Sequence, residues 1–332
     1  MTKTDVVAMP RWDRRNLLSI EDLRPEGIRD VLDLADRLQG EPPTRATPED
    51  FHHATVATVF FENSTRTRLS FELAAQQLSA KVLNFNADSS SVKKGESLRD
   101  TLSTIDAFGV DVIVIRHASS GVAVQASRWV NAAIINAGDG QHEHPTQALL
   151  DLFTLRQALG TQRGVMPEDL TGLRVAIVGD IRHSRVARSE VLALSAMGAH
   201  VTLVAPSPLL PTSVEGWPIE AVSSDLDHVI ANTDLCYVLR IQHERMVEAR
   251  LDDLDAYRHR FGLTLERAAR LPEGALIMHP GPINRGVEID SLVADAPNSL
   301  ILAQVRNGVT IRAAVLSLLL GARRDEIQGA VK

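Results

Sequence analysis

Residues 60–71 read Phe60-Phe61-Glu62-Asn63-Ser64-Thr65-Arg66-Thr67-Arg68-Leu69-Ser70-Phe71. The β-branched and aromatic run Ala54–Phe61 predicts a strand, and the hydroxyl cluster behind it predicts a helix start within Ser64–Thr67. A helix start presents backbone N–H groups with no intrahelical partner and the positive end of the helix dipole. Hydroxyls from Ser64, Thr65 and Thr67 and the planar fork of Arg66 converge on the same point, a combination suited to a phosphate. The plainer alternative is an ordinary Ser/Thr cap followed by solvent-facing arginines. It is not a Walker loop, because no Gly-rich GK[ST] stretch occurs.

The same strand-then-helix unit recurs on both sides. Upstream, Ser19 and Asp22 have capping-box spacing, and Ile28, Val31, Leu32 and Leu38 give one helical face after Pro25. Pro42, Pro43 and Pro48 then interrupt the chain. Downstream, strands are predicted at Lys81–Phe85, Asp111–Ile115 and Ala132–Asn136, with helical stretches near 66–79, 96–109 and 121–130. The pattern restarts after a helix over 146–159 and a loop holding Gly160, Gly164 and Pro167. Its strands are Arg174–Val178, His200–Val204, Asp234–Leu239 and Ala275–Met278. A last helix is predicted over 304–321, with Val305, Val309, Ala313, Leu316 and Leu320 on one face. Strands alternating with helices imply parallel sheets covered on both faces. The expected fold is therefore α/β: two similar-sized domains, each a parallel β-sheet flanked by helices, with a hinge near 150–165.

Composition agrees with this and excludes other classes. The 332 residues, 44% apolar and 23% charged, describe an ordinary globular chain of about two domains rather than a disordered one. No apolar run reaches ten residues, so no membrane span is expected. Asp5, Arg11, Asp13, Arg14 and Arg15 leave no apolar core for a secretory signal. The single cysteine, Cys236, excludes a disulfide framework and a cysteine metal cluster, and the expected compartment is the cytoplasm. A net charge of −7, spread over both halves, argues against a nucleic-acid surface. It also contrasts with motifs that look built for anions.

Further candidates follow strand ends, where open α/β sheets bind ligands. Arg116 follows Asp111–Ile115, and a surface salt bridge is its plainer reading. His142 and His144 flank Glu143, but no third ligand stands nearby, so no metal is expected. His144-Pro145-Thr146-Gln147 opens a helix in which His144 and Gln147, three apart, can face one ligand. Val175–Val178 followed by Gly179-Asp180 begins like a dinucleotide fold but lacks GxGxxG. Arg182, Arg185 and Arg188 follow at helical spacing. Arg240 and Gln242 follow Asp234–Leu239. His279-Pro280-Gly281-Pro282 makes a stiff turn that displays its carbonyls. Ser89–Lys94, hydroxyl-rich and followed by Gly95, reads alone as an exposed flexible loop.

Taken in order, these segments resemble the carbamoyltransferase family from about residue 16 to residue 321. STRTRLSFE at 64–72 is similar to its phosphate-binding signature, and SSSVKKGES at 89–97 to its mobile loop. VIRH at 114–117, HPTQALLDLFTL at 144–155, VGDIRHSR at 178–185, LRIQHER at 239–245 and HPGPINRGVEI at 279–289 resemble the remaining site segments. The resemblance implies a carbamoyl phosphate-binding domain over 16–150 plus 305–332, with the C-terminal helix returning to the first domain. It implies a second-substrate domain over 151–304. Arg66, Thr67, Arg116 and His144 would be catalytic. Ser64, Thr65, Gln147, backbone near Pro280, Gly281 and Pro282, and a loop serine, Ser90 or Ser91, would complete the carbamoyl phosphate contacts. Lys94, from a neighbouring subunit, would touch both substrates. Arg185, Arg240 and Gln242 would hold the carboxylates of the acceptor. Arg245 and His279 would be structural. The Gly281–Pro282 bond is expected to be cis, and Gly281 stands where one family member has Leu.

The implied reaction moves a carbamoyl group from carbamoyl phosphate to L-aspartate, the committed step of pyrimidine synthesis, in a homotrimer with shared sites and no cofactor. Whether such a trimer acts alone, with a regulatory chain or with dihydroorotase is left open. Ornithine-using members carry HCLP and SMG; this chain has HPGP at 279–282, no SMG, and its cysteine in another strand. A non-catalytic, anion-binding homologue would lose its transition-state donors first, yet Thr67, Arg116 and His144 are all present.

Overall fold

The computed structural model describes residues 12–39, 51–86, 95–241 and 254–330. Ser90, Ser91, Lys94, Gln242 and Arg245, with Pro42, Pro43 and Pro48, lie outside the described residues. The chain divides into two compact units, residues 1–153 with 306–332, and residues 154–305.

In the first unit, α1 (Arg24–Gln39) precedes β1 (Thr55–Phe60), α2 (Thr65–Gln77), β2 (Lys81–Asn86), α3 (Leu98–Ala107), β3 (Val112–His117), α4 (Val122–Trp129) and β4 (Ala133–Asp139). The strands form one parallel sheet in the order β2-β1-β3-β4. Ala57 and Val59, Ile113 and Ile115, and Ile134 point to one face, where Leu102 and Ile105 of α3 and Val122, Ala123 and Ala126 of α4 cover them. The alternate residues Val56, Thr58, Val112 and Val114 are buried too. Burial on both faces explains why these strands read as unbroken apolar runs. Ser19 Oγ accepts the Asp22 N–H at 3.1 Å, but the helix itself starts later, at Arg24.

Helix α5 (Pro145–Arg163) runs from the first unit into the second. There follow β5 (Arg174–Val178), α6 (Arg185–Ala196), β6 (His200–Val204), β7 (Ala221–Ser223), β8 (Leu235–Val238), α7 (Leu254–Phe261) and β9 (Leu276–Met278), besides shorter helical turns. This second sheet is also parallel, in the order β7-β6-β5-β8-β9. Strand β7 is an addition to the predicted set.

The last helix, α8 (Ile301–Ala330), joins the first unit from Arg306 onward. It differs from the expected one-faced helix over 304–321. Val305 is 48% exposed, whereas Ile311–Leu320 is buried all round, including Arg312 and Ser317. By length and composition it could cross a membrane, but 72% of the relevant window is packed inside the protein, as in a core helix.

Candidate active site

Each sheet has one point where consecutive connections leave in opposite directions. In the first it lies between β1 and β3, and in the second between β5 and β8. The crevice outside the carboxyl ends of such a strand pair is where open α/β sheets take ligands.

At the first switch point, β1 ends at Phe60 and α2 opens at Thr65, with Ser64 as its N-cap. The Ser64 side chain makes no capping hydrogen bond, so the first-turn N–H groups are not met by it. Arg66 is exposed and Thr67 is buried. Arg116, one residue from the end of β3, donates from Nη1 to the Ala137 carbonyl at 3.2 Å, and its Nε lies 3.4 Å from Glu62 Oε2. It therefore combines an ion pair with a place at the crevice. His117 packs edge-on to Phe61 at 5.1 Å, and burial holds its imidazole below the ordinary value while Glu62 opposes that shift.

From β4, the chain turns through a buried hub. Asp139 accepts N–H bonds from Gly121 and Glu143 and the Asn136 amide, and it pairs with His142 at 3.2 Å. Glu143 in turn accepts the Ile20 N–H at 2.9 Å. His142 and Glu143 thus have structural partners, and no group of three potential ligands suited to a metal is found among the described residues. His144, buried at the mouth of α5, brings Nε2 to 3.4 Å from Thr67 Oγ1. Two residues 77 apart in sequence so share one point. Gln147, one turn into α5, donates from Nε2 to Asp151.

At the second switch point, Gly179 follows β5 with φ +131°, and a Cβ there would lie 2.9 Å from the Leu239 carbonyl oxygen at the end of β8. Only glycine lets the two strand ends approach this closely. Ser184 caps α6 by accepting the Ala187 N–H, which leaves Arg185 as the first helical residue. The three arginines do not form one helical face. Arg182 sits in the preceding turn, where its N–H bonds to Leu209, and Arg188 stacks over Trp217 at 5.8 Å. Arg240 is exposed directly after β8.

Beside β8, the turn after β9 holds a cis Gly281–Pro282 bond, as expected, with Gly281 at φ +63°. His279 is its pin. Its Nδ1 accepts the Gly281 N–H at 2.8 Å, so its proton sits on Nε2, 3.3 Å from Glu288 Oε1. Gln304 accepts the His279 N–H, and Asn284 donates to the Ile241 carbonyl at 2.6 Å, tying the turn to the segment after β8. Cys236, inside β8, is fully buried; burial pushes its thiol up to about 12, which leaves it inert as a nucleophile.

Asp139, Asp151, Glu288 and Arg312 were not singled out from sequence. Their one legible signal was the four-residue spacing of Gln147 and Asp151 on a helix.

Two open parallel sheets, each with arginines near its switch point, define an α/β protein of two similar units. The comparisons with known proteins are specific. Residues 15–157 match the model of the aspartate/ornithine carbamoyltransferase carbamoyl-P binding domain, and residues 171–319 match that of the Asp/Orn binding domain. The chain belongs to the aspartate/ornithine carbamoyltransferase family. It is 52% identical over 313 residues to the aspartate carbamoyltransferase catalytic subunit of Parafrankia sp. (strain EAN1pec), covering 94% of this chain and 98% of that one. The catalytic subunit of M. jannaschii aspartate transcarbamoylase has a similar structure, with TM-score 0.77 and 35% identity over 93% of this chain and 98% of that one. Aspartate transcarbamoylase from Trypanosoma cruzi, in complex with carbamoyl phosphate and aspartate, gives TM-score 0.82 and 28% identity over 94% and 99%.

Proposed function

We propose that this chain transfers the carbamoyl group of carbamoyl phosphate to the α-amine of L-aspartate, yielding N-carbamoyl-L-aspartate and phosphate, the committed step of pyrimidine synthesis. The observation that carries the reading is the pair of switch points. The first gathers Ser64–Thr67, Arg116 and His144, and the second gathers Arg185 and Arg240.

The chemistry follows from those groups. The uncharged amine attacks the carbonyl carbon, a tetrahedral oxyanion forms, and the C–O bond to phosphate breaks. Thr67 and His144, 3.4 Å apart, and Arg116 are the donors for the developing oxyanion. One such donor is typically worth about 3–4 kcal/mol in the transition state. Orienting the two substrates supplies a further ~7–11 kcal/mol. The amine must lose a proton, and the departing phosphate, now more basic, is the group that takes it. Arg66, Ser64 and Thr65 hold the phosphate. Gln147 takes the carbamoyl NH2. Arg185, Arg240 and Gln242 take the two carboxylates.

The assembly in this reading is a homotrimer in which Lys94 and a loop serine, Ser90 or Ser91, enter a neighbour's site. An exposed apolar pair supports it: Leu69 and Leu73, four apart on α2, are 46% and 50% exposed. The lone buried cysteine supports a cytoplasmic setting. The test is to offer carbamoyl phosphate with L-aspartate or with L-ornithine and identify the ureido product. N-Carbamoyl-L-aspartate alone is expected; citrulline overturns the acceptor assignment, and no product from either overturns the activity.

A further inference from the structure

Behind Gln147 stand two buried charged residues, Asp151 and Arg312, that take no part in the reaction. Gln147 and Asp151 lie one turn apart on α5, and Gln147 Nε2 reaches the two Asp151 carboxylate oxygens at 3.0 and 3.2 Å. A carboxylate accepts and cannot donate, so this contact fixes the amide's orientation. Its NH2 group turns to Asp151, and its oxygen is the end left to face a ligand.

Arg312 of α8 is a second buried charge, and Asp151 favours its cationic form. Its side chain is buried, its Nη1 donates to the Gly308 carbonyl at 3.2 Å, and its guanidinium lies 5.1 Å from the centre of the Phe71 ring. Phe71 belongs to α2, whose first turn forms the phosphate cradle. Gly308 leaves the guanidinium its room, since a Cβ there would meet Arg312 Nη1 at 2.6 Å. Burial lowers the Arg312 pKa to about 9; Asp151 opposes the shift and Arg116 adds to it, and the side chain remains a cation at neutral pH. A guanidinium in an otherwise apolar helix core is costly, and an apolar side chain of similar volume would pack there at least as well. Packing therefore does not account for it.

We infer that Asp151 is a positioning residue that holds Gln147 oxygen-forward, so that the first unit prefers a donor bearing NH2 beside its carbonyl to one bearing a methyl. This rests on the reading of that unit as the carbamoyl phosphate site. Acetyl phosphate is the matching probe, because it keeps the phosphate and the carbonyl and replaces NH2 by CH3. Calorimetric titration of both ligands into the full chain gives a ratio of affinities that general loosening of the fold does not change. Wild type is expected to favour carbamoyl phosphate. Asp151→Asn is expected to shrink that preference by about tenfold, the value of one ordered hydrogen bond, with acetyl phosphate affinity little altered. The double variant D151N/R312M leaves no lone buried charge; it carries the test if the single variant does not fold, and it is expected to show the same shrinkage.

A preference unchanged in either folded variant overturns the inference, as do equal losses for both ligands. A wild type that binds both ligands equally overturns it as well. A wild type that binds neither overturns the reading of the first unit, and the inference with it.

Discussion

Gly179→Ala tests whether the second switch point is as tight as its geometry requires. The residue has φ +131°, where an L side chain is strained, and such a backbone costs about 1–3 kcal/mol. The new Cβ would also lie 2.9 Å from Leu239 O and 3.0 Å from Leu239 Cβ, against ordinary contact beginning at 3.4 Å. Relieving that overlap moves the end of β8 by about half an ångström, and overpacking of this kind adds ~1–3 kcal/mol. The expected loss is then about 2–6 kcal/mol, or a fall in Tm of ~5–20 °C for a unit of this size. Leu239 adjoins Arg240, so the movement is passed to the arginine proposed for the aspartate carboxylate. A misplacement near half an ångström is expected to cost ~10-fold in kcat/KM for aspartate, with carbamoyl phosphate affinity retained. Gly216→Ala is the control, because φ is +78° there and nothing lies within 4 Å of the added Cβ. Thermal unfolding and initial rates of the two variants give the comparison. Equal Tm values and an unchanged aspartate KM in Gly179→Ala would refute the close approach of the two strand ends.

Four other outcomes are expected. His144→Ala should lower kcat by about 10²–10³-fold, the usual cost of an oxyanion donor, while carbamoyl phosphate binding measured by calorimetry changes far less. Cys236 should resist iodoacetamide at pH 8 until the chain unfolds, because with its pKa near 12 only roughly one thiol in ten thousand is ionised. The raised thiol pKa also has a stability consequence. Its contribution is fully present below the ordinary value of 9.0 and is lost as pH rises toward 12, so urea midpoints should fall in that window and Cys236→Ala should flatten the fall. Finally, mixing inactive Lys94→Ala and inactive Arg66→Ala subunits should restore activity through shared sites, and complete inactivity in verified hybrids would remove the shared-site assembly.

Much of the architecture was legible because parallel strands buried on both faces are unbroken apolar runs. Arg174–Val178 and His200–Val204 coincide with β5 and β6. Strand β7 escaped because it is three residues long and exposes Ala221 and Val222, so it carries no apolar signal. The C-terminal helix misled in the opposite way. A helix embedded in a core is apolar all round, so a single stripe through Val305 was the wrong pattern to draw. Arg66, Arg116, His144 and Arg240 could be found one at a time, each at or beyond the carboxyl end of a strand. Their grouping into two sets came from the family resemblance and not from the residues alone, because strand order decides it and strand order is set by long-range pairing. Asp151 and Arg312 were hidden for a related reason: 161 residues separate them in the sequence, and each alone looks like a stray charge in an apolar helix.

In the proposed reaction each switch point takes its own substrate. The direct measurement is a calorimetric titration of carbamoyl phosphate into Arg116→Ala and Arg240→Ala side by side. Hydrogen bonds to a charged group are worth about 1.5–3 kcal/mol, so Arg116→Ala should weaken carbamoyl phosphate by ~10–100-fold. Arg240→Ala should bind it as wild type does. Equal losses in the two variants, or a loss confined to Arg240→Ala, would contradict the assignment.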